Sequence, residues 1–183
     1  MKAYLAGPDV FLPNAAQHAA KKIRICATYG LIGRAPLEDP AEIATGSKAD
    51  VWRAIFRKDI EMMEECDIII ANLTPFRGAS ADAGTLVELG WFLGRGRPIF
   101  GYSNSAKLFS ERCEAQACAI PDQTSLMAIE DFRLPDNLMV PGAVEAGNGL
   151  SITLPADTFD RDFYALDIFE SCVAKAARHL GLR

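Results

Sequence analysis

Short apolar runs alternate with amphipathic stretches from the N-terminus to about residue 102. Residues 2–6 make the first run, with the β-former Tyr4 at its centre, and Gly7-Pro8-Asp9 breaks it. Residues 31–36, 67–73 and 97–102 make the next three. The segment Asp67-Ile68-Ile69-Ile70-Ala71 is apolar enough for a strand buried on both faces. Helices are predicted between these runs. One follows Asn14, a capping residue type, and runs to about residue 29, with Gly30 as its stop. A second covers residues 49–65, where Val51, Ile55, Ile60 and Met63 make one stripe. A third covers residues 85–93 and ends at Gly94-Arg95-Gly96. Strands alternating with helices in this way predict a three-layer α/β sandwich around a parallel sheet.

Beyond residue 102 the pattern weakens. Residues 107–117 read as helical, and 128–132 as the approach to a short fifth strand or a loop. Asn137-Leu138-Met139-Val140-Pro141 leads into a helix that starts over 142–146. Residues 157–180 read as one or two closing helices, with Asp157 as a candidate cap. Residues 38–48 read as an excursion loop. No repeat, low-complexity tract or linker divides residues 1–183, which are expected to form one α/β domain.

Composition narrows the partners. The chain has 183 residues, half of them hydrophobic, enough for a sizeable core. A net charge of −5 argues against a nucleic-acid backbone or an anionic membrane as partner. No apolar run is long enough to cross a bilayer, and the opening residues are broken too early for a signal peptide. A cytoplasmic location is therefore expected. The cysteines, Cys26, Cys66, Cys113, Cys118 and Cys172, are odd in number and lack CxxC spacing, which argues against a disulfide framework or a zinc site. Cys26, Cys66 and Cys172 fit as small core residues. His18 and His179 lie on helical patterns with no second ligand nearby, and read as surface or helix-end residues. Neither a metal nor a cofactor is expected.

The chemistry concentrates between residues 72 and 90. A polar loop, Thr74-Pro75-Phe76-Arg77-Gly78, follows the third strand and delivers Asp82 and Glu88 to the next helix. If strands one and three are central neighbours in the order 2-1-3-4-5, the crevice at their carboxyl ends is a topological switch point, lined by Gly7-Pro8-Asp9 and residues 74–84. Glu88, near the start of its helix, is placed where the helix dipole favours an ionised carboxylate, as a nucleophile requires. Asp82 converges on it only from the loop, which Gly84 permits. Paired carboxylates without a metal cluster point to cleavage of a glycosidic bond. The bland alternatives are a helix cap for Asp82 and an exposed helix position for Glu88. Tyr4 either orients Glu88 or closes a core edge. Arg77 either neutralises a carboxylate or is a solvated loop residue. Asp59 is either a solvated helix charge or points into the crevice.

These residues, in order, resemble the nucleoside 2-deoxyribosyltransferase family. The resemblance runs through Tyr4-Leu5-Ala6-Gly7-Pro8 with Phe11, Arg57-Lys58-Asp59-Ile60, Asp67, and Asn72 to Gly78. It continues through Asp82-Ala83-Gly84-Thr85, Glu88-Leu89-Gly90, Gly101-Tyr102-Ser103-Asn104 and Asn137-Leu138-Met139. Residues 38–48 and 105–125 carry no matching motif. The resemblance implies a flavodoxin-like α/β sandwich with a five-stranded parallel sheet, and cofactor-free exchange of bases on 2′-deoxyribonucleosides. It implies that Glu88 is the nucleophile at C1′, forming a covalent deoxyribosyl-enzyme that a second base attacks with net retention. Asp82 and Asp59 match acids that bind base and sugar or assist proton transfer, and Tyr4 matches a residue that positions the nucleophile. Asn137 and Met139 match a segment that reaches a neighbouring subunit's site, which implies a homo-oligomer. Phe11, Trp52 and Phe76 are candidates for stacking on a base, and purine preference is expected.

Two other functions compete. One is a nucleoside or nucleotide N-glycosidase with water as acceptor; the acid and apolar groups of Asp9-Val10-Phe11 disfavour a phosphate cradle there. The other is a non-catalytic nucleotide-sensing module, which would bind without turnover.

Overall fold

The computed structural model describes residues 1–37, 47–119 and 127–182. Its parallel strands are β1 (Lys2–Ala6), β2 (Ile32–Arg34), β3 (Ile68–Asn72) and β4 (Ile99–Tyr102), in the order β2-β1-β3-β4. Tyr4 stands beside Arg34 on one side and Ile69 on the other, and Ala71 beside Gly101. The chain steps outward in both directions from the β1–β3 pair, so the crevice lies at the carboxyl ends of those strands.

Four strands rather than five form this sheet among the described residues. Among the described residues, the fifth position, beside β4, holds only a parallel bridge between Tyr102 and Thr153. There Ser103 N–H donates to the Thr153 carbonyl at 3.0 Å, and Thr153 N–H to the Gly101 carbonyl at 2.8 Å. Pro155 follows and has no N–H to extend the ladder. Residues 128–132 do not form the strand. The Glu130 carboxylate there accepts from Leu138 N–H and Asn137 Nδ2.

The helices are α1 (Ala15–Thr28), α2 (Lys48–Glu65), α3 (Ala83–Gly94), α4 (Phe109–Ala119), α5 (Met139–Asn148) and α6 (Asp167–His179), and a 3-10 turn spans Pro8–Phe11. Side-chain alternation along the strands divides the core in two. Ala3, Leu5, Ile68, Ile70, Phe100 and Tyr102 pack toward Cys26 of α1 and Phe169, Cys172 and Val173 of α6. Tyr4, Ala6, Ile69, Ala71 and Ile99 pack toward Met63 of α2, Leu89 and Phe92 of α3 and Val144 of α5. That alternation is what aims Tyr4 at α3.

Several boundaries differ from expectation. Asn14 occupies the cap position of α1, but its side chain makes no capping bond. The hydroxyl of Ser47 accepts from Asp50 N–H and caps α2 instead of ending a loop. Helix α5 begins at Met139, earlier than residue 142, because a first-turn proline such as Pro141 sacrifices no helical hydrogen bond. Residues 157–166 are not helical, and Asp157 caps nothing. Its carboxylate binds Arg161, whose Nε also reaches Asp167, so the segment is held as a loop by ion pairs. Most of the excursion predicted over 38–48 lies outside the described residues. No helix among the described residues is long and apolar enough to cross a membrane.

Candidate active site

The start of α3 is fixed before any ligand is considered. Asp82 caps it, with Oδ2 accepting from Thr85 N–H at 3.0 Å and from Thr85 Oγ1 at 3.3 Å. The preceding loop is tied down by Asp136, which is 1 % exposed. Its carboxylate accepts from Ser80 Oγ at 2.5 Å, Ala81 N–H at 3.0 Å and Asn137 N–H at 2.8 Å. Glu88 then falls in the second turn of α3, half-buried over β1. Tyr4 Oη donates to Glu88 Oε1 at 2.6 Å. The Tyr4 ring is fully buried and stacks on Phe92 with centroids 6.0 Å apart.

Burial pushes the Glu88 carboxyl up to about 7, against the Tyr4 hydrogen bond that lowers it, and the charges of Asp59 and Asp82 add to the rise. The expected dipole stabilisation of an ionised Glu88 is not what the fold provides. Dipole effects fade beyond the first turn, and Asp82 occupies that end of the helix. Burial first, then the Glu88 charge and hydrogen bond, raise the Tyr4 phenol well above its usual range, so Tyr4 stays a donor.

Glu88 opens onto a cleft of about 640 Å³. Asp59 from α2, Asp82, Thr85 and Glu88 line it together with Gly7, Val10, Phe11, Leu12 and Leu37. Gly7 has φ 153°, and a Cβ there would lie 2.6 Å from the Asn72 Cβ, so only glycine fits. The fold thus gathers Gly7, Phe11, Asp59, Asp82 and Glu88 at one cleft, with Tyr4 behind Glu88.

Five predicted residues lie off it. Phe76 stands behind Phe11, with rings 5.5 Å apart and 6° from parallel. Arg77, exposed and at φ 56°, places its guanidinium 5.0 Å from the Phe11 centroid and 4.6 Å from that of Phe76. Asn137 Nδ2 donates to Glu130, its Oδ1 accepts from Met139 N–H, and Met139 is 69 % exposed. Trp52 is also exposed, under Arg53. A larger, more open cleft of about 730 Å³ lies between Arg77–Ala79 and α4 and includes none of the acids around Glu88.

Beneath the cleft lies a buried ionic cluster that sequence reasoning did not find. Asp9 meets Lys22 Nζ at 2.7 Å, His18 Nε2 at 3.3 Å and Asn72 Nδ2 at 3.1 Å. His18, expected at the surface, is 5 % exposed, and Lys22 is 2 % exposed. Burial would raise the Asp9 carboxyl, but the Lys22 charge and the His18 and Lys22 hydrogen bonds hold it well below the usual carboxylate range. The i, i+4 spacing of His18 and Lys22 on α1 was the only available signal. Asp136 gave none, since Ser80 and Ala81, which it holds, lie 56 and 55 residues away.

The chain is thus a doubly wound α/β protein with a carboxylate-lined cleft at the switch point of its sheet. Residues 3–139 match the family model of nucleoside 2-deoxyribosyltransferase, and the chain belongs to that family of pentosyltransferase enzymes. It is 27% identical to the 2-desoxiribosyltransferase from Leishmania mexicana, with a TM-score of 0.67 over 97% of both chains. A conserved protein from Enterococcus faecalis V583 shares the fold at 16% identity and a TM-score of 0.54, over 96% of this chain and 98% of that one. An uncharacterized protein of Schizosaccharomyces pombe is 36% identical over 113 residues, 60% of this chain. That match spans 53% of the yeast protein, about half its length.

Proposed function

We propose that this chain exchanges the bases of 2′-deoxyribonucleosides by a double displacement through Glu88. The observation that carries the reading is the Glu88 carboxylate in the cleft, held by Tyr4 at 2.6 Å and flanked by Asp59 and Asp82. A Glu88 oxygen attacks C1′ as the C1′–N bond breaks, and that electron pair leaves on the base nitrogen, which takes a proton. The product is a neutral ester, so the reaction removes the buried charge whose desolvation makes Glu88 a stronger base than a surface glutamate. Developing positive charge on the sugar is stabilised by the acids around it. A nitrogen of a second base then attacks C1′, restores the carboxylate and loses its proton. Two inversions give net retention.

Phe11, backed by its stack on Phe76, offers the base an apolar face, and a purine presents the larger area to it. Asp59 and Asp82 would hold base and sugar and pass the proton. No cofactor takes part. Met139, exposed at 69 % and outside its own cleft, would reach with Asn137 into the cleft of another copy, in a cytoplasmic homo-oligomer serving nucleotide salvage.

Incubation of deoxyinosine with adenine is expected to yield deoxyadenosine, and a 2-fluoro nucleoside analogue is expected to leave a sugar adduct on Glu88. Release of hypoxanthine and free sugar alone would replace the transferase with a hydrolase. Binding without turnover would replace it with a sensor.

A further inference from the structure

The wall behind the cleft is built from three separate loops. Phe11 stacks on Phe76, and Phe76 packs on Phe163 at 5.9 Å and 38°. Phe163 belongs to the loop between Thr153 and α6, and no sequence motif pointed to it. A belt of buried polar groups ties these loops together from below. Asp9 accepts from Asn72 Nδ2, Asn72 Oδ1 accepts from Thr74 N–H at 3.1 Å, and Thr74 Oγ1 accepts from Asn104 N–H at 3.0 Å. Asn104, 1 % exposed, closes the belt. Its Nδ2 is shared among the carbonyls of Asp162, Phe163 and Ala165 at 3.1, 3.0 and 3.1 Å. The carboxyl ends of β1, β3 and β4 and the loop at 162–165 are thereby fixed relative to one another, each of three loops carrying one ring.

Phe11 is 57 % exposed and lines the cleft, so its own loop supplies little to hold the ring. Phe76 and the Arg77 guanidinium are its side supports, and Phe163 is the backstop to Phe76. We propose that Phe163, acting through Phe76, is a positioning residue that holds Phe11 as the platform for the incoming nucleobase and so sets the choice between a base and water as acceptor. The proposal rests on the transferase reading above. The deoxyribosyl ester has two fates: attack by a base nitrogen, or attack by water with loss of a proton to give free deoxyribose. Water needs no platform. A base competes only while it is bound and oriented, and a platform ordered in advance lowers the entropic cost of that binding. Loosening the backstop therefore weakens the acceptor and leaves water unaffected.

The test compares Phe163→Ala, Phe163→Tyr and Phe159→Ala with the unaltered protein. Adenine binding is measured by calorimetric titration, and the ratio of deoxyadenosine to free deoxyribose is measured with deoxyinosine as donor. Phe163→Ala is expected to weaken adenine binding and raise the acceptor KM by about tenfold, the scale of one aromatic pair, and to raise the hydrolysed share. Phe163→Tyr should restore both. Phe159→Ala, in the same loop with its side chain 70 % exposed, should change neither. If Phe163→Ala does not fold, Phe163→Leu removes the ring while keeping apolar volume and is expected to behave as described for alanine. An unchanged adenine affinity and product ratio in the ring-deleted variant, failure of tyrosine to restore them, or no adenine binding by the unaltered protein would overturn the proposal. Absence of exchange alongside intact, Phe163-dependent adenine binding would sink the transferase reading and leave the platform standing.

Discussion

The Tyr4 hydroxyl lies 2.6 Å from Glu88 Oε1 and joins the first strand to a helix residue 84 positions later. Tyr4 is fully buried and cannot shed its proton under ordinary conditions, so its hydrogen bond points one way, toward the carboxylate. It also opposes the burial that raises the Glu88 carboxyl. Tyr4 thus orients the Glu88 carboxylate and favours its ionised form.

Tyr4→Phe should fold, because the ring and its stack on Phe92 remain. Losing the donor should push the Glu88 carboxyl above about 7. The acidic limb of the kcat/KM profile should then move to higher pH, with activity at neutral pH falling about tenfold, the scale of one charge-assisted hydrogen bond. A pH–rate profile checks this; an unmoved acidic limb would mean that Tyr4 only fills space.

Glu88→Gln should abolish exchange and yet stabilise the protein in mild alkali. The carboxyl rises from the ordinary 4.5 to about 7 on folding, so the folded chain binds this proton more tightly than the unfolded chain. Stability from that proton is complete below pH 4.5 and is lost as pH rises through about 7. The amide carries no such dependence. Thermal melts should show the variant ahead above neutrality by on the order of 2 kcal/mol, with the gap closing toward acid pH.

Lys22→Met strands the Asp9 carboxylate in the protein interior. Removing one partner of a buried ion pair costs about 3–5 kcal/mol, and denaturant titration near neutral pH should show a loss of that size. The Asp9 carboxyl is depressed in the fold, so its contribution is full above the usual carboxylate range and fades as acid protonates it. The gap between variant and unaltered protein should narrow accordingly. Adding Asp9→Asn to Lys22→Met should recover part of the loss, since an amide needs no counter-charge.

Asp136→Ala removes the acceptor for Ser80 Oγ and for Ala81 and Asn137 N–H. Leaving those donors unpaired should cost about 2–3 kcal/mol in a melt. Because Ser80 and Ala81 lead directly into Asp82, kcat should fall as well, although Asp136 lines no part of the cleft at Glu88. A fully active but unstable variant would separate the latch from the site.

The central strands were legible because β3 is buried on both faces and reads as an unbroken apolar run. Asp82 and Gly7 were legible because they sit where strands give way to helical turns, whose chemistry marks them, and Glu88 because it lies on the helix that Asp82 opens. The fifth sheet position was not, since Thr153 makes one bridge and leaves no periodicity. Residues 157–166 carry helix-compatible side chains, yet Arg161 and Asn104 hold them as a loop through partners that no local pattern shows. The Asp9–Lys22 pair and the Phe163 contact are likewise tertiary facts. Glu88 was misjudged electrostatically for a local reason: a shift of one helical turn moves it from the reach of the dipole into a desolvated pocket.

Asp82 and Glu88 are set on the same helix, one as its cap and the other in its second turn. The backbone of α3 therefore works as a rigid ruler between them. Loops around the mouth can lengthen, shorten or change composition, and so reshape the cleft, without altering the spacing of the two acids.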